Sequence, residues 1–288
     1  SVDFQKMDEQ SKARITLGKR LYLDPILSVN NQISCNSCHR LDNFGVDNEA
    51  TSPGHEGKRG DRNSPSSFNA FLHISQFWDG RARDVEEQAL GPILNPVEMG
   101  MASDKDVLKK ISRVESYKSD FKKAFPSEKS PIKYRNIGIA IGAFERMLVT
   151  PSRFDDYLKG DIRALSSKER SGLSKFIEVG CVSCHNGSTV GGGMYQKLGA
   201  IEDYPQNEDL GLYNVTKNED DKYFFKVPSL RNVEHTGPWL HDGSITDLNE
   251  MIKIMGRFQL GVELPAGDIN EIRAFLSTLT GQVPEIVN

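Results

Sequence analysis

Cys35-Asn36-Ser37-Cys38-His39 decides how this chain is read, because it recurs as Cys181-Val182-Ser183-Cys184-His185. C-x-x-C-H is the attachment signature of a c-type haem: two thiols add across the vinyl groups, and the adjoining histidine reaches the iron. Two intervening residues let both sulfurs meet one edge of the macrocycle, and the next residue turns toward the metal. The two copies together use all four cysteines of the chain. The competing readings are two zinc sites or paired disulfides, but each Cys2His set would need a fourth zinc ligand that no nearby motif supplies.

Outward from these motifs, 288 residues suit one large or two ordinary domains, and the duplication favours two. The expected division is 1–155 and 156–288, with the last few residues packing back on the first domain. Thirty-six basic and 40 acidic residues give a net charge of −4, which points away from nucleic acid. Apolar content is lean at 37%, and covalent haem would add core material that the composition does not count. No apolar run approaches the roughly 18–20 residues of a membrane span. The chain begins at Ser1 without a signal-peptide pattern. Haem is joined to this motif outside the bacterial cytoplasm, so a removed leader and a periplasmic location are expected.

The secondary-structure signals are mainly helical, with few and short strands. Residues 8–22 read as a helix ending at Asp24-Pro25, and 29–67 as a long functional loop. Residues 78–90 read as a helix broken by Gly91-Pro92 and Pro96. Ser103 with Asp106 marks a helix start carrying Val107, Leu108 and Ile111. Tyr134, Ile137, Ile141, Phe144 and Leu148 form the strongest amphipathic stripe. A polar stretch through Asp161 follows as the boundary. Ser166 and Glu169 form a capping box ahead of Leu173, Phe176 and Ile177, so a helix runs into each haem motif. Residues 187–221 read as loop, 246–255 as a short helix, and Asp268 with Glu271 as the cap of a last helix. The expected architecture is two cytochrome-c-like domains in tandem.

With His39 and His185 as fifth ligands, the sixth position decides between electron carriage and chemistry. His55, flanked by Gly54 and Gly57, reads equally as a ligand or a surface residue. His73 reads as a satisfied structural histidine, and nothing local separates His235 from His241. Met99, Met101, Met194, Met251 and Met255 are the thioether candidates, each read individually as core. Glu98 is either a surface carboxylate or an acid/base group above an open iron, and local pattern leaves both open.

Taken together, CNSCH, PGHEGKRGDRNSPS, QFWDGRA, ALGPILNPVEM, GCVSCHNG, GGGMYQKLG, VPSLRNVE and HDGS occur in the order and at about the spacings of the bacterial di-haem cytochrome c peroxidases. The chain resembles that family over nearly its whole length. The resemblance implies reduction of hydrogen peroxide at an N-terminal haem. A small cytochrome c or cupredoxin would deliver electrons at a C-terminal haem. It implies that Cys35 and Cys38 hold the first haem, with His39 as proximal and His55 as distal ligand, and that Cys181 and Cys184 hold the second, ligated by His185 and Met255. Thioether ligation raises the potential of that second iron. Trp78 matches a tryptophan on the electron path, and Gln88 and Glu98 match the peroxide pocket, Glu98 as acid/base. Asn63, Thr236 and Pro238 match calcium ligands, the last two through carbonyl oxygens. Arg231 and His241 match groups beside the second haem. His55 on its glycine-flanked loop would be a switchable ligand. The family is usually homodimeric. The chain departs from many relatives at residues 235–240. Two rival readings are a substrate-free di-haem electron carrier and the related tryptophan-oxidising maturation enzyme, which carries tyrosine where this chain has Met255.

Overall fold

The computed structural model describes residues 4–205 and 208–287. The chain is mainly helical, with a single two-stranded sheet among the described residues. Helix α1 (Glu9–Leu23) starts where the Asp8 carboxylate accepts the Ser11 N–H at 2.9 Å, and it stops at Asp24, before Pro25. It buries Ile15, Leu17, Leu21 and Tyr22. The first haem motif forms a helical turn, α2 (Cys35–Cys38). Short helices α3 (Val85–Gln88) and α4 (Gly91–Leu94) precede α5 (Asp104–Ser112), α6 (Glu115–Ala124) and α7 (Tyr134–Glu145).

Helices α8 (Arg153–Leu158) and α9 (Ser167–Val179) lead into the second motif. Strand β1 (Tyr195–Lys197), helix α10 (Tyr213–Thr216) and strand β2 (Phe224–Lys226) follow, β1 and β2 pairing antiparallel with Gln196 opposite Phe225. Helices α11 (Leu248–Ile254) and α12 (Ala266–Ser277) close the chain, and α11 continues as a π-helical turn over Met255–Leu260.

Two cores form, and each is built on the same joint. In the first, α1 crosses α7 at Gly18, where a Cβ would collide with the Ala140 carbonyl and press on the Phe144 Cβ at 3.0 Å. In the second, α9 crosses α12 at Gly172, where a Cβ would collide with the Glu271 carbonyl and press on the Phe275 Cβ at 3.1 Å. A glycine on the early helix meets a carbonyl on the late helix, and an aromatic stands one turn further on. The duplication therefore extends from the haem motifs to the helix packing. Ile286 and Val287 pack back on the first core, while Trp78 and Phe154 pack on the second.

Several local expectations are corrected. Residues 78–84 are irregular, and α3 begins only where the Asp84 carboxylate accepts the Glu87 N–H. Gly91-Pro92 opens α4 instead of ending helical structure, since proline at a helix start forgoes an N–H that had no partner. The sequence reading passed over α6, because Lys118, Lys122 and Lys123 dilute its buried Tyr117, Phe121 and Ala124. Asp268 and Glu271 do not cap α12, which starts behind Pro265; Asp268 lies in the first turn, where the helix dipole favours it. The polar stretch after Thr150 contains α8, opened by a Ser152–Asp155 capping box. The 187–221 loop contains β1 and α10.

In a free helix, Gly→Ala stabilises by about 0.5–1 kcal/mol. At these crossings Gly18→Ala and Gly172→Ala are each expected to destabilise by about 1–3 kcal/mol, because the carbonyl cannot retreat. Denaturant unfolding of the two variants measures this, and a stabilised variant would contradict the shared joint.

Candidate active site

Two cavities accompany the two motifs. The first, ≈ 120 Å³, is lined by Cys35, Cys38 and His39, by Gln88 from α3, by Glu98 and Met99 from the loop after α4, by Arg62 and by Glu145 at the end of α7. The second, ≈ 240 Å³, is lined by Cys181, Cys184 and His185 together with Met251 and Met255. The segment between them is one chain thick. Arg62 and Ser64 face the first cavity, while Asn63 and Pro65 face the second.

Both motif histidines are half-buried and line the cavities, with the Nδ1 atom of each enclosed near backbone carbonyls. Desolvation dominates their titration. It lowers His39 against a partial offset from the Gly45 and Pro65 carbonyls, and it takes His185 to about 4 against the carbonyls of Val190 and Pro228. Each imidazole is thus neutral, the form that ligates a metal. Burial likewise pushes the Cys38 and Cys181 thiols up to about 11, and Cys35 higher still. All four cysteines are free thiols, and no three His, Cys, Asp or Glu side chains converge as a metal-ion cluster among the described residues. Neither the disulfide nor the zinc reading is supported. A flat group with one metal centre fits both cavities, where a neutral imidazole stands beside a thiol pair; the walls of the second are largely apolar, and those of the first mix Ile33, Val97 and Met99 with polar side chains.

In the first cavity Glu98 accepts a hydrogen bond from Asn95 Nδ2 at 2.7 Å. Burial raises its pKa, while the Arg81 charge and the Asn95 bond act the other way. His55 is joined to the same loop, its N–H donating to the Val97 and Glu98 carbonyls at 2.9 and 2.8 Å. The His55 ring lies outside the cavity lining, over Gly100 and 3.7 Å from the Glu56 carboxylate. Glu56 holds a left-handed φ of 59° that tightens this turn.

In the second cavity Met255 lines the wall at the junction of α11 and the π turn, one helical turn from Met251. π turns often mark functional positions. Trp78 is fixed at both ends: its Nε1 donates to the Asn63 carbonyl at 2.9 Å, and its own carbonyl accepts the Lys226 N–H at 2.8 Å. It lines the second cavity and not the first. Asn63, Thr236 and Pro238 line that cavity together. The Asn63 amide nitrogen donates to the Glu49 and Ala50 carbonyls, and Oδ1 accepts no hydrogen bond among the described residues. Arg231 and His241 also line it, Arg231 paired with Asp155 at 2.6 Å and His241 stacked on Phe225. In the divergent 235–240 segment, His235 stacks on Phe44 with ring centres 4.3 Å apart.

His73 is not the satisfied structural residue that the sequence suggested. Its Nδ1 lies 3.2 Å from Lys226 Nζ, its Nε2 is buried without a partner, and burial plus the lysine charge take its pKa to about 3. Lys226 itself is brought down to about 8 by burial. Sequence reasoning also missed Arg62, which bridges Asp79 and Asp209 at 2.6 Å each, because its partners lie far away along the chain. It missed Glu145, although a carboxylate one turn after Ile141 on the buried stripe was a visible signal. No helix among the described residues is long and apolar enough to cross a membrane.

This arrangement defines a haem oxidoreductase with two unequal sites. Comparison with known proteins specifies it further. The profile of the family described as di-haem cytochrome c peroxidase matches residues 12–163. The chain is similar to cytochrome c551 peroxidase of Nitrosomonas europaea, 46% identical over 93% of this chain and 80% of that one. It is also similar to cytochrome c551 peroxidase of Pseudomonas aeruginosa, 42% identical over 98% and 82%. Among solved structures, a MauG-like protein associated with microbial copper homeostasis superimposes with a TM-score of 0.87 at 28% identity, covering 99% and 94% of the two chains. The chain belongs to the di-haem cytochrome c peroxidase family. It is a haem-containing peroxidase, an oxidoreductase.

Glu145 is raised to about 8 by burial first and by Glu86 second, so its folded-state pKa lies above the unfolded one. A raised carboxyl contributes stability that is full below about pH 4.5 and is lost as pH climbs through about 8. Relative to Glu145→Gln, the wild type is expected to lose stability on the order of a few kcal/mol between those limits. Urea unfolding of both proteins across that range checks it; a constant difference would mean that the carboxyl ionises freely.

Proposed function

We propose that the protein reduces hydrogen peroxide to water with electrons from a small redox protein, a cytochrome c or a cupredoxin. These electrons enter beside His185 and pass Trp78 toward the His39 cavity. The reading assigns two covalent haem c groups, through Cys35 and Cys38 in a domain of residues 1–155 and through Cys181 and Cys184 in a domain of residues 156–288. His39 and His185 are the proximal ligands, Met255 is the second ligand of the C-terminal iron, and His55 is a releasable ligand of the N-terminal one. Asn63 Oδ1 with the Thr236 and Pro238 carbonyls holds one calcium ion. A periplasmic homodimer is the form expected from the family.

What carries the reading is the convergence of His39, Gln88 and Glu98 on one cavity beside the first cysteine pair. When bound, haem supplies the redox-active metal that exchanges electrons with peroxide. The protein residues manage position and protons. Gln88 hydrogen-bonds the peroxide and orients it. Glu98 takes a proton from one peroxide oxygen and returns it to the other as the O–O bond breaks. Its raised pKa brings it nearer the working pH, where a proton-transfer group is most effective. Asn95 holds the carboxyl in one orientation. The names of the two peroxidase relatives support a c-type cytochrome as donor.

Glu98→Gln keeps the Asn95 contact and removes the proton transfer. Peroxide turnover with a reduced donor is expected to fall by about 10²–10⁴-fold with both haems still bound. Unchanged turnover would remove Glu98 from the chemistry. If the wild type has no peroxide turnover to lose, the chain is an electron carrier instead.

A further inference from the structure

The first cavity contains a second carboxyl. Glu145 is the last residue of α7, only 6% exposed, and it lines the same cavity as Gln88 and Cys35. No hydrogen bond or ion pair reaches its carboxylate among the described residues; Arg146, its neighbour, pairs instead with Glu86 on α3 at 2.9 Å. Every charged or titratable group around it bears on its ionisation. Glu86 repels a negative charge there, Arg146 favours one weakly, and the Tyr22 hydroxyl on α1 and the Cys35 thiol on α2 are themselves raised by its charge. Glu98 stands in the same cavity as a second acid, and Arg62 supplies the cation of its lining. The C-terminal end of α7 also disfavours an anion. A carboxyl so placed at neutral pH holds a proton.

Building on the peroxidase reading, we propose that Glu145 is a second proton-supplying residue of the first cavity. Reduction follows HOOH + 2 H⁺ + 2 e⁻ → 2 H₂O: the O–O bond breaks, two O–H bonds form, and the reduced donor protein provides both electrons. Glu98 moves a proton between the two peroxide oxygens and adds none to the balance. Glu145 supplies one of the two protons consumed by breaking its own O–H bond, and it regains a proton from solvent past the Glu86–Arg146 pair.

The experiment combines infrared spectroscopy and turnover on the holoenzyme. A buried carboxylic C=O band is expected in the wild type near neutral pH. It should disappear as pH rises through about 8, persist in Glu98→Gln and be absent in Glu145→Gln. Glu145→Gln should retain both haems yet lose peroxide turnover at pH 7 by about 10²-fold, and Glu145→Asp should recover part of it. A wild type with no such band overturns the proposal even if the glutamine variant does not fold. An active wild type with an equally active Glu145→Gln overturns it alone. A wild type inert toward peroxide overturns the peroxidase reading and this proposal together.

Discussion

Each half of this chain is built around a cavity on which a motif histidine and a thiol pair converge. The Nδ1 atoms of His39 and His185 are enclosed near backbone carbonyls, and each ring is a neutral imidazole, the form that ligates a metal. Haem supplies that metal and two flat faces for the walls. The lean apolar composition, the long loops and the paired glycine joints follow from a core completed by a group that the sequence does not encode.

The two cavities share a motif histidine and thiol pair and differ in the rest of their lining. With His185 come Met251 and Met255, on a helix whose π turn leaves Met255 at the cavity wall. With His39 come an amide and two carboxyls, Gln88, Glu98 and Glu145, while the remaining candidate ligand sits on a separate turn whose ring lies over Gly100. A thioether suits an iron that stores charge, whereas a polar cavity suits one that meets substrate. The single strand of chain from Arg62 to Pro65 separates them, with Trp78 anchored on it through the Asn63 carbonyl. Arg62 ties the same segment to Asp79 and to Asp209, so the wall between the cavities is braced from both halves of the chain.

Much of this was legible in the chain itself. The repeated pentapeptide announced the duplication that the two cores display, and the stripe from Ile137 to Phe144 became the buried face of α7, which ends at Glu145 and leaves Leu148 buried just beyond it. Ser103 and Ser166 cap helices where their side chains said they would. The joints at Gly18 and Gly172 were not legible, since a helical glycine looks like a propensity fault until its partner carbonyl is in place. The Lys226–His73 contact and the Arg62 bridges join residues distant in sequence that no local pattern links. Glu145 sat in view on an apolar face, where a charged residue was easily read as marking the helix edge.

The central claim is that the two sites are unequal, one storing an electron and the other meeting peroxide. An optical and EPR titration of the oxidised protein with one reducing equivalent, followed by peroxide, tests it most directly. The account predicts that the equivalent settles on the haem beside Met255, and that peroxide then alters the haem beside His39, which has an exchangeable site. Two haems that reduce together and keep both axial positions filled in the presence of peroxide would contradict it.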